Sequence, residues 1–387
     1  MYYRTNPKNG EQLSQLGFGC MRLPGDSEEA KRQILYAVEH GVNYFDTAYV
    51  YPGSEAALGR ALEGGYREKV KIATKMPPYL VKKYEDFDRI FETQLGRLRT
   101  DHIDYYLLHM LTDRNGFERI RSLGFEKWLS EKKAKGRIGS IGFSYHGGRE
   151  EFPRLIDAFP WDFCMIQYNY LDEHNQAGRA GLEYAQAKGL PVIVMEPLRG
   201  GRLAWGLPGE VKQLFTHANP RRSAAEWGFR WVYDHPGVTT VLSGMNSLAM
   251  VEENLLTADS ARPGGLTEAE RALFQSVQEA ITRAQLIPCT GCNYCMPCPA
   301  GVDIPTCFSC YNTRAASGRI RAFRDYMMQT SMKKEAGGAS RCAGCGQCEA
   351  RCPQHIEIRR QLKLVSKSLE PFYYRPARAL IRKVMRF

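Results

Sequence analysis

Residues 28–46 read EEAKRQILYAVEHGVNYFD and contain one repeat of the unit that dominates the chain. Apolar residues recur at helical spacing over Glu28–His40, with charged residues on the opposite face. Gly41 suits the left-handed residue that ends such a helix, and Val42–Phe45 is a short apolar run typical of a buried strand. The stretch therefore predicts a helix that leads directly into a strand.

The same alternation recurs over the first 255 residues. Helix-period stretches such as Tyr84–Leu98 and Arg222–Asp234 separate eight β-rich apolar runs: Leu16–Met21, Val42–Phe45, Val70–Ala73, Ile103–Leu108, Ile138–Phe143, Phe163–Gln167, Pro191–Met195 and Val238–Leu242. Eight strands alternating with helices predict an α/β fold, a parallel (β/α)8 TIM barrel.

Polar residues cluster where these strands end. Asp46 and Tyr51 follow the second strand, Lys75 ends the third and His109 ends the fourth. Later strands and their loops add Ser144, Gln167, Glu196, Ser243 and Gly244. Since the carboxyl ends of barrel strands meet at one rim and carry the active site, we expect a site there.

The sequence around these residues resembles the aldo-keto reductase family over roughly residues 12 to 255. The matching segments are Phe45-Asp46-Thr47-Ala48 with Tyr51, Gly53-x-Glu55 with Leu58-Gly59, Ile141-Gly142-Phe143-Ser144 and Gln167-Tyr168-Asn169. The resemblance implies that the family's catalytic Asp, Tyr, Lys and His are Asp46, Tyr51, Lys75 and His109. It also implies reduction of a carbonyl, or oxidation of an alcohol, with a nicotinamide coenzyme.

The four side chains suit that chemistry. A free tyrosine, with a pKa near ~10, is too weak an acid for neutral pH, and a neighbouring ammonium such as Lys75 favours its phenolate. Asp46 would hold the ammonium, Tyr51 would act as general acid or base, and His109 would orient the carbonyl oxygen. Any one of these residues alone would more often be a packing residue or part of a structural ion pair.

The coenzyme is predicted to lie on loops rather than on a Rossmann fingerprint, because no G-x-G-x-x-G follows the first strand. Ser243-Gly244-Met245-Asn246 precedes a helix over Ser247–Leu256, whose amino end suits a phosphate. Glu253 and Asn254 match the family's adenine-side contacts. The remaining predicted contacts are Ser144, Gln167, Glu196, Leu198, Gly200, Gly201 and Arg202.

Two departures leave the choice between NADH and NADPH open. Many family members hold the 2′-phosphate with a basic residue near the strand-eight loop, where this chain has Gly244-Met245 and, further on, Met250. Arginines of the preceding loop are possible substitutes: Arg199, Arg202, Arg221 and Arg222. Met195-Glu196-Pro197 stands where the family often stacks a tyrosine on the nicotinamide, which leaves a flavin possible, although no flavin signature is present.

Two cysteine runs near the C-terminus predict iron–sulfur clusters. Residues 289–299 read CTGCNYCMPCP, and residues 342–353 read CAGCGQCEARCP. In such triplets the fourth ligand typically comes from the Cys-Pro of the other run. The expected sets are Cys289, Cys292, Cys295 and Cys352 for one [4Fe–4S] cluster, and Cys342, Cys345, Cys348 and Cys298 for the other. Zinc is the alternative, but it does not explain two triplets each followed by Cys-Pro.

The four other cysteines are predicted to be structural. Cys307 and Cys310 look like a further pair but lack two more ligands, and Cys20 and Cys164 lie at strand ends. All four are therefore interpreted as packing residues. The long separation between the two runs resembles helical ferredoxin domains, and the chain as a whole resembles the branch of aldo-keto reductases with a C-terminal iron–sulfur domain.

Composition limits the partners and the compartment. The chain has 387 residues, 12 cysteines and a net charge of +11. Its first residues, MYYRTNPKNG, have no apolar segment and no apolar run reaches about 18 residues, so neither a secretory leader nor a membrane-spanning helix is expected. A reducing cytoplasm is expected. Residues 359–387 carry nine Lys or Arg and one acid, Glu370, a net of +8, while the rest is nearly balanced, so nucleic-acid binding is not expected.

The basic tail allows two interpretations. Ala377, Leu380, Ile381 and Val384 share one helical face, with Arg378, Arg382 and Arg386 on or beside the other. A helix packed on the ferredoxin-like domain is favoured over a membrane-surface anchor. The expected domains are a barrel over 1–258, a linker and helix over 259–288, a two-cluster domain over 289–358 and the tail over 359–387.

The leading functional hypothesis is an oxidoreductase acting on a small carbonyl or alcohol and linked through its clusters to a ferredoxin-like donor or acceptor. The alternative is an electron-transfer or redox-sensing protein with structural clusters and a catalytically weak barrel. The complete Asp, Tyr, Lys and His set argues against that alternative.

Overall fold

The computed structural model describes residues 1–284, 286–289, 295–331, 337–352 and 355–385, with no side chain described at 315–317, 331 or 380–385. Its strands are β1 Tyr3–Thr5, β2 Gln12–Ser14, β3 Leu16–Gly19, β4 Tyr44–Asp46, β5 Lys71–Met76, β6 Ile103–Leu111, β7 Ile138–Tyr145, β8 Phe163–Gln167, β9 Val192–Met195 and β10 Val238–Ser243.

Sixteen helices lie in the described ranges. They are α1 Ser27–Glu39, α2 Ser54–Ala61, α3 Glu85–Leu98, α4 Arg114–Ser122, α5 Phe125–Ala134, α6 Glu151–Asp157, α7 Gly178–Ala187, α8 Arg202–Trp205, α9 Gly209–His217, α10 Ala224–Tyr233, α11 Leu248–Ser260, α12 Glu268–Ala284, α13 Ile304–Tyr326, α14 Gln347–Ala350, α15 Ile358–Leu369 and α16 Tyr374–Met385.

The eight predicted strands form a closed parallel barrel in the order β10-β3-β4-β5-β6-β7-β8-β9. The predicted barrel is therefore confirmed. The opening sequence stretch behaves as its pattern indicates: Asp26 caps α1 by accepting from the Glu28 amide, and Gly41 has φ 89° before β4. This is a backbone region that glycine enters without steric cost.

The short β1–β2 hairpin was not predicted. It pairs antiparallel, outside the barrel order. From it the buried Arg4 donates to the Gln15 side chain at 2.8 Å and to the carbonyls of His235 and Val238 at 2.8 and 2.6 Å. The hairpin is thereby tied to the turn that leads into β10.

Alternation along the strands decides which side chains fill the barrel. The interior cluster contains Tyr44, Ala73, Tyr105, Leu107, Phe163, Met165, Ile193 and Leu242. The residues between them face the helices, as Tyr106 does against Phe91 and Phe143 against Phe152. Because side chains alternate with period two, the next inward position on each strand lies at the carboxyl-end rim.

The chain divides into two compact units. The first comprises 1–201 and 223–267, and the second comprises 202–222 and 268–387. Residues 202–222, which follow the loop after β9, thus belong with the cysteine-bearing segment. Within the second unit, Phe215 of α9 contacts Phe274 of α12, and Arg283 binds Glu210 at 2.6 Å.

The second unit has its own apolar core. Tyr326, Val365, Leu369 and Tyr374 are buried in it, and Ala377 of the basic tail packs against it. Leu380, Ile381, Val384, Arg382 and Arg386 lie outside the described side chains. No described helix is long and apolar enough to span a bilayer.

The second unit also contains the third cysteine pair. The predicted helix over residues 312–329 begins earlier, at Ile304, where Asp303 caps it by accepting from the Thr306 amide. Cys307 and Cys310 therefore lie in the first turns of α13 rather than in a connecting loop, and both are fully buried. Cys20 and Cys164 are likewise buried, as predicted. The burial of Cys307 and Cys310 agrees with packing residues, and their role stays a prediction.

Candidate active site and cluster domain

Strand alternation brings the four predicted catalytic residues to one rim. Asp46, Lys75 and His109 each stand two residues after an inward-facing core residue, Tyr44, Ala73 and Leu107 respectively. Tyr51 lies in the turn before α2, half-buried, with its ring centre 5.9 Å from that of His109. The structure therefore places all four together, although they span 64 residues of sequence (46 to 109).

Lys75 and Asp46 form a buried ion pair. Lys75 Nζ lies 2.5 Å from Asp46 Oδ1, donates to the Thr47 carbonyl at 2.8 Å, and lies 5.2 Å from the centre of the Tyr51 ring. Burial lowers the pKa of Lys75, but Asp46 and Tyr51 outweigh it, so the pKa is raised from its ordinary value. Lys75 thus stays charged beside Tyr51 at neutral pH.

A bulge near the end of β6 changes the direction of its last residues. The β6–β7 register shifts between Leu108 and Leu111, and Met110 has φ 59°, a left-handed value that a side chain rarely adopts. The Met110 amide donates to Ser144 Oγ at 2.8 Å. Bulges are frequent next to active sites, where they redirect a side chain. This one sets His109 at the rim and uses Ser144, a predicted coenzyme contact, as its anchor.

His109 is an uncharged imidazole in this setting. Burial, followed by Lys75 and His146, lowers the pKa of His109 to about 3. Only 6% of the residue is exposed, and its Nδ1 has no hydrogen-bond partner among the described residues. A neutral imidazole can donate one hydrogen bond to a substrate oxygen without placing a second positive charge beside Lys75.

A buried polar network supports Lys75 from the helix side of β5. Glu55 Oε1 accepts from Thr74 Oγ1 at 2.7 Å and from Gln94 Nε2 at 2.8 Å, and Arg97 binds the other oxygen at 3.1 Å. Gln94 Nε2 also donates to the Lys75 carbonyl at 3.2 Å. Glu55, which is 1% exposed, therefore ties α2, α3 and the end of β5 into one unit.

Asp172 joins the loops after β8 and β9. It accepts from Gln167 at 2.9 Å and Asn169 at 3.0 Å, and its carboxylate binds Arg199 at 2.7 Å. Asn169 also donates to the Glu196 carbonyl at 3.2 Å. Gln167 and Glu196, both predicted coenzyme contacts, are thus brought to one part of the rim.

The predicted phosphate loops contact a residue that sequence reasoning missed. Arg22, just after β3, donates to the Gly200 carbonyl at 2.8 Å, and a Cβ added at Gly244 would lie 3.6 Å from Arg22 Cδ. Arg22 therefore lies between the loop after β9 and the loop after β10. Those two loops are far apart in sequence, and no local pattern pairs them with Arg22.

The other predicted coenzyme contacts have separate environments. Asn254 donates to Ser243 Oγ at 3.0 Å, Ser223 donates to Glu253, and Met245 is buried. Ser247 caps α11 as predicted. Leu198 packs towards Gly228, and Gly200 and Gly201 have φ 67° and 91°. Asn246 ends the loop after β10, immediately before the Ser247 cap.

The proposed substitute arginines are mostly engaged. Arg199 binds Asp172, Arg222 binds Glu270, and Arg202 donates to Ser309 at 2.8 Å in the second unit. Arg202 is thus assigned to a different unit from the other predicted coenzyme contacts.

Seven of the eight predicted cluster ligands lie in the described ranges, while Cys292 and also Pro353 lie outside them. Six of the seven, all except the exposed Cys345, pack against the core of the second unit. Cys298, Cys342, Cys345, Cys348 and Cys352 carry free thiols, a donor set that suits iron. In the described ranges no three His, Cys, Asp or Glu side chains converge as a metal group, so the crossed ligand sets stay a prediction.

Comparison with known proteins decides the family. The model of the aldo/keto reductase family matches residues 15–260. This chain belongs to the aldo/keto reductase family. A 4Fe–4S dicluster domain matches residues 288–357, so this aldo/keto reductase is an oxidoreductase that carries iron–sulfur clusters.

Individual relatives cover the barrel. Methylglyoxal reductase YeaE of Escherichia coli is 28% identical over 280 residues, 69% of this chain and 92% of its own length. The structure of an aldo-keto reductase from Bacillus halodurans, in its holo form, is 27% identical, with a TM-score of 0.61 over 72% of this chain and 96% of its own. A Klebsiella pneumoniae aldo-keto reductase solved with NADPH is 25% identical over 72% of this chain and 96% of its own, with a TM-score of 0.58.

Proposed function

We propose that the barrel of this aldo/keto reductase interconverts a small carbonyl compound and its alcohol with a nicotinamide coenzyme. The observation that carries the proposal is the buried Lys75–Asp46 pair at 2.5 Å, with the Tyr51 ring 5.2 Å from the ammonium and His109 against its edge. Relatives named as reductases of methylglyoxal and of glyoxal support a carbonyl substrate.

Each side chain has one task in reduction. The Tyr51 hydroxyl gives its proton to the substrate oxygen as the carbonyl carbon receives hydride, and the Lys75 ammonium stabilises the negative charge left on Tyr51. Asp46 holds Lys75 in place. His109, neutral at physiological pH, donates a hydrogen bond that orients the carbonyl. In alcohol oxidation the same proton returns to Tyr51.

A bound reduced nicotinamide supplies the hydride. The residues that would hold it are the rim side chains Gln167 and Glu196, the glycine loops at 200–201 and 243–246, and Glu253 with Asn254 at α11. Arg22 would supply the basic residue that the loop after β10 lacks, since its guanidinium donates to the Gly200 carbonyl and its aliphatic stem lies beside Gly244. A guanidinium suits a phosphate through paired N–H donors.

The second unit would hold two [4Fe–4S] clusters in the crossed ligand sets. Clusters pass one electron at a time, so we propose that they exchange electrons with a ferredoxin-like partner rather than taking hydride themselves. Two triplets, each followed by Cys-Pro, support two clusters, because a single structural metal would need only one set of ligands.

An anaerobic titration tests both parts. Purified protein is titrated with NADH and then with NADPH while the visible absorbance of the clusters is followed, and carbonyl turnover is measured in parallel with methylglyoxal. Coenzyme oxidation that depends on the carbonyl supports the barrel chemistry, and no turnover with either coenzyme overturns it. Bleaching shows that coenzyme and clusters exchange electrons. Clusters that dithionite reduces and coenzyme does not would instead assign them to a separate donor.

A further inference from the structure

A second histidine shares the rim with His109. On β7, Phe143 and Tyr145 face outward, where both contact Phe152 of α6. The alternate position Gly142 faces inward, since a Cβ there would lie 2.7 Å from the ring of Phe163, a residue of the interior cluster. Ser144 continues this inward series to the carboxyl end of the strand, and the partly buried His146 follows Tyr145, the last residue of β7.

The backbone around His146 is fixed. Its amide donates to the Leu111 carbonyl at 2.9 Å, which holds it beside the end of the strand that carries His109. Tyr145 OH donates to the Gly148 carbonyl at 2.5 Å. A Cβ added at Gly147 would lie 1.7 Å from the Thr112 carbonyl oxygen, so only glycine allows this close approach. These contacts define the path of the backbone from Tyr145 to Gly148.

The electrostatic surroundings agree with this placement. Burial and then the Lys75 ammonium lower the pKa of His146 to about 4, and His146 is itself one of the causes that lower the pKa of His109. Both imidazoles are therefore neutral at physiological pH, and both lie near the same ammonium. One hydrogen-bond donor is enough to orient a single carbonyl oxygen, which leaves the second imidazole available to another polar group.

We propose that His146 is a specificity-determining residue, which hydrogen-bonds a second oxygen on the carbon next to the reacting carbonyl. The inference rests on the proposed carbonyl reduction and narrows its substrate class to 2-oxo and 2-hydroxy carbonyl compounds. Two uncharged imidazoles that are both influenced by the Lys75 ammonium can donate to two oxygens of one substrate. A substrate without the second oxygen leaves the His146 N–H unpaired in a partly buried site, which costs binding energy.

The test compares methylglyoxal with propanal, which has the same three carbons but lacks the second oxygen. In the wild type, kcat/KM is expected to favour methylglyoxal. His146→Phe, which removes the donor, should lower kcat/KM for methylglyoxal about tenfold, mainly through KM, the effect of one lost hydrogen bond, and should change the value for propanal less than threefold. His146→Asn keeps a donor and should restore part of the preference.

The controls separate the possible failures. His40→Phe replaces an exposed histidine before β4, at the opposite end of the barrel, and should leave the methylglyoxal-to-propanal ratio as in the wild type. If His146→Phe does not fold, as judged by circular dichroism, His146→Ala gives the same comparison. An unchanged ratio in a folded variant overturns the role of His146. Absence of turnover by the wild type on both carbonyls overturns the proposed function instead.

Discussion

The two functional regions of this aldo/keto reductase are built in different ways. The barrel rim is assembled by the backbone: eight paired strands fix the inward positions, and Asp46, Lys75 and His109 follow from alternation. The predicted cluster ligands that the structure describes in the second unit lie instead in loops or in the four-residue α14, and all but Cys345 pack against a separate core. Packing alone can preorganise the first region, whereas metal–thiolate bonds must complete the second.

The largest effect is expected from removing iron. Anaerobic chelation should abolish the visible cluster absorbance and lower amide hydrogen-exchange protection in α13 and α15, because metal binding supplies folding energy to such domains. Strands β5–β8 should keep their protection. A sample treated with chelator already saturated with iron is the control. Equal loss of protection in barrel and second unit would contradict the difference drawn between them.

Tyr51→Phe tests the barrel side. Removing the general acid should lower carbonyl reduction by about 10²–10⁴-fold, the usual contribution of such a group, while coenzyme affinity and cluster absorbance stay as in the wild type. Steady-state rates measure carbonyl reduction, and fluorescence titration measures coenzyme affinity. The control is Tyr66→Phe, which removes a tyrosine hydroxyl from the segment before β5. Activity within twofold of the wild type in Tyr51→Phe would remove this residue from the mechanism.

Glu55→Gln tests whether the network behind Lys75 is structural. The substituted amide cannot accept from Thr74, Gln94 and Arg97 as the carboxylate does, so the free energy of unfolding should fall by about 1–3 kcal/mol. Glu63→Gln removes an exposed carboxylate paired with Arg99 and should cost at most about 0.5 kcal/mol. Denaturant unfolding of the barrel transition gives both values, and equal values would show that burial of Glu55 does not matter.

Arg22→Gln tests the coenzyme side of the rim. Loss of a charged contact to phosphate should weaken coenzyme binding about tenfold, with kcat at saturation less affected. Tryptophan fluorescence titrations with NADH and NADPH measure the two affinities. Arg32→Gln removes an exposed arginine of α1 as the control. Equal coenzyme affinity in Arg22→Gln and the wild type would show that Arg22 does not bind the coenzyme phosphate.

The smallest effect is expected from pH. His109 and His146, with pKa values lowered to about 3 and 4, stay neutral down to about pH 5, so kcat/KM should show no inflection near 6.5. Stability behaves differently: between the unfolded pKa of about 6.5 and the folded values, the unfolded chain binds more protons, so the unfolding free energy falls on acidification. A rate profile that bends near 6.5 and loses the bend in His146→Asn would contradict this assignment.

Local patterns in the sequence determined much of this protein. Apolar runs and their spacing set the eight strands, the order of Asp46, Tyr51, Lys75 and His109 gave the candidate tetrad, and Cys-x-x-Cys spacing gave the cluster domain. These features depend on residues close together in the chain, where period and spacing carry the information. The β1–β2 hairpin and the early start of α13 were missed, because Arg4 and Asp303 stabilise them through specific hydrogen bonds rather than through a period.

Tertiary structure alone decided the rest. It brought Arg22 to Gly200, 178 residues away in sequence, joined the His146 amide to the Leu111 carbonyl at the end of β6, and assigned residues 202–222 to the cysteine-bearing unit. None of these follows from local periodicity, because each depends on which distant segments the closed barrel and the second core bring into contact. The sequence specifies which residues face inward along each strand, and barrel closure determines which of them meet.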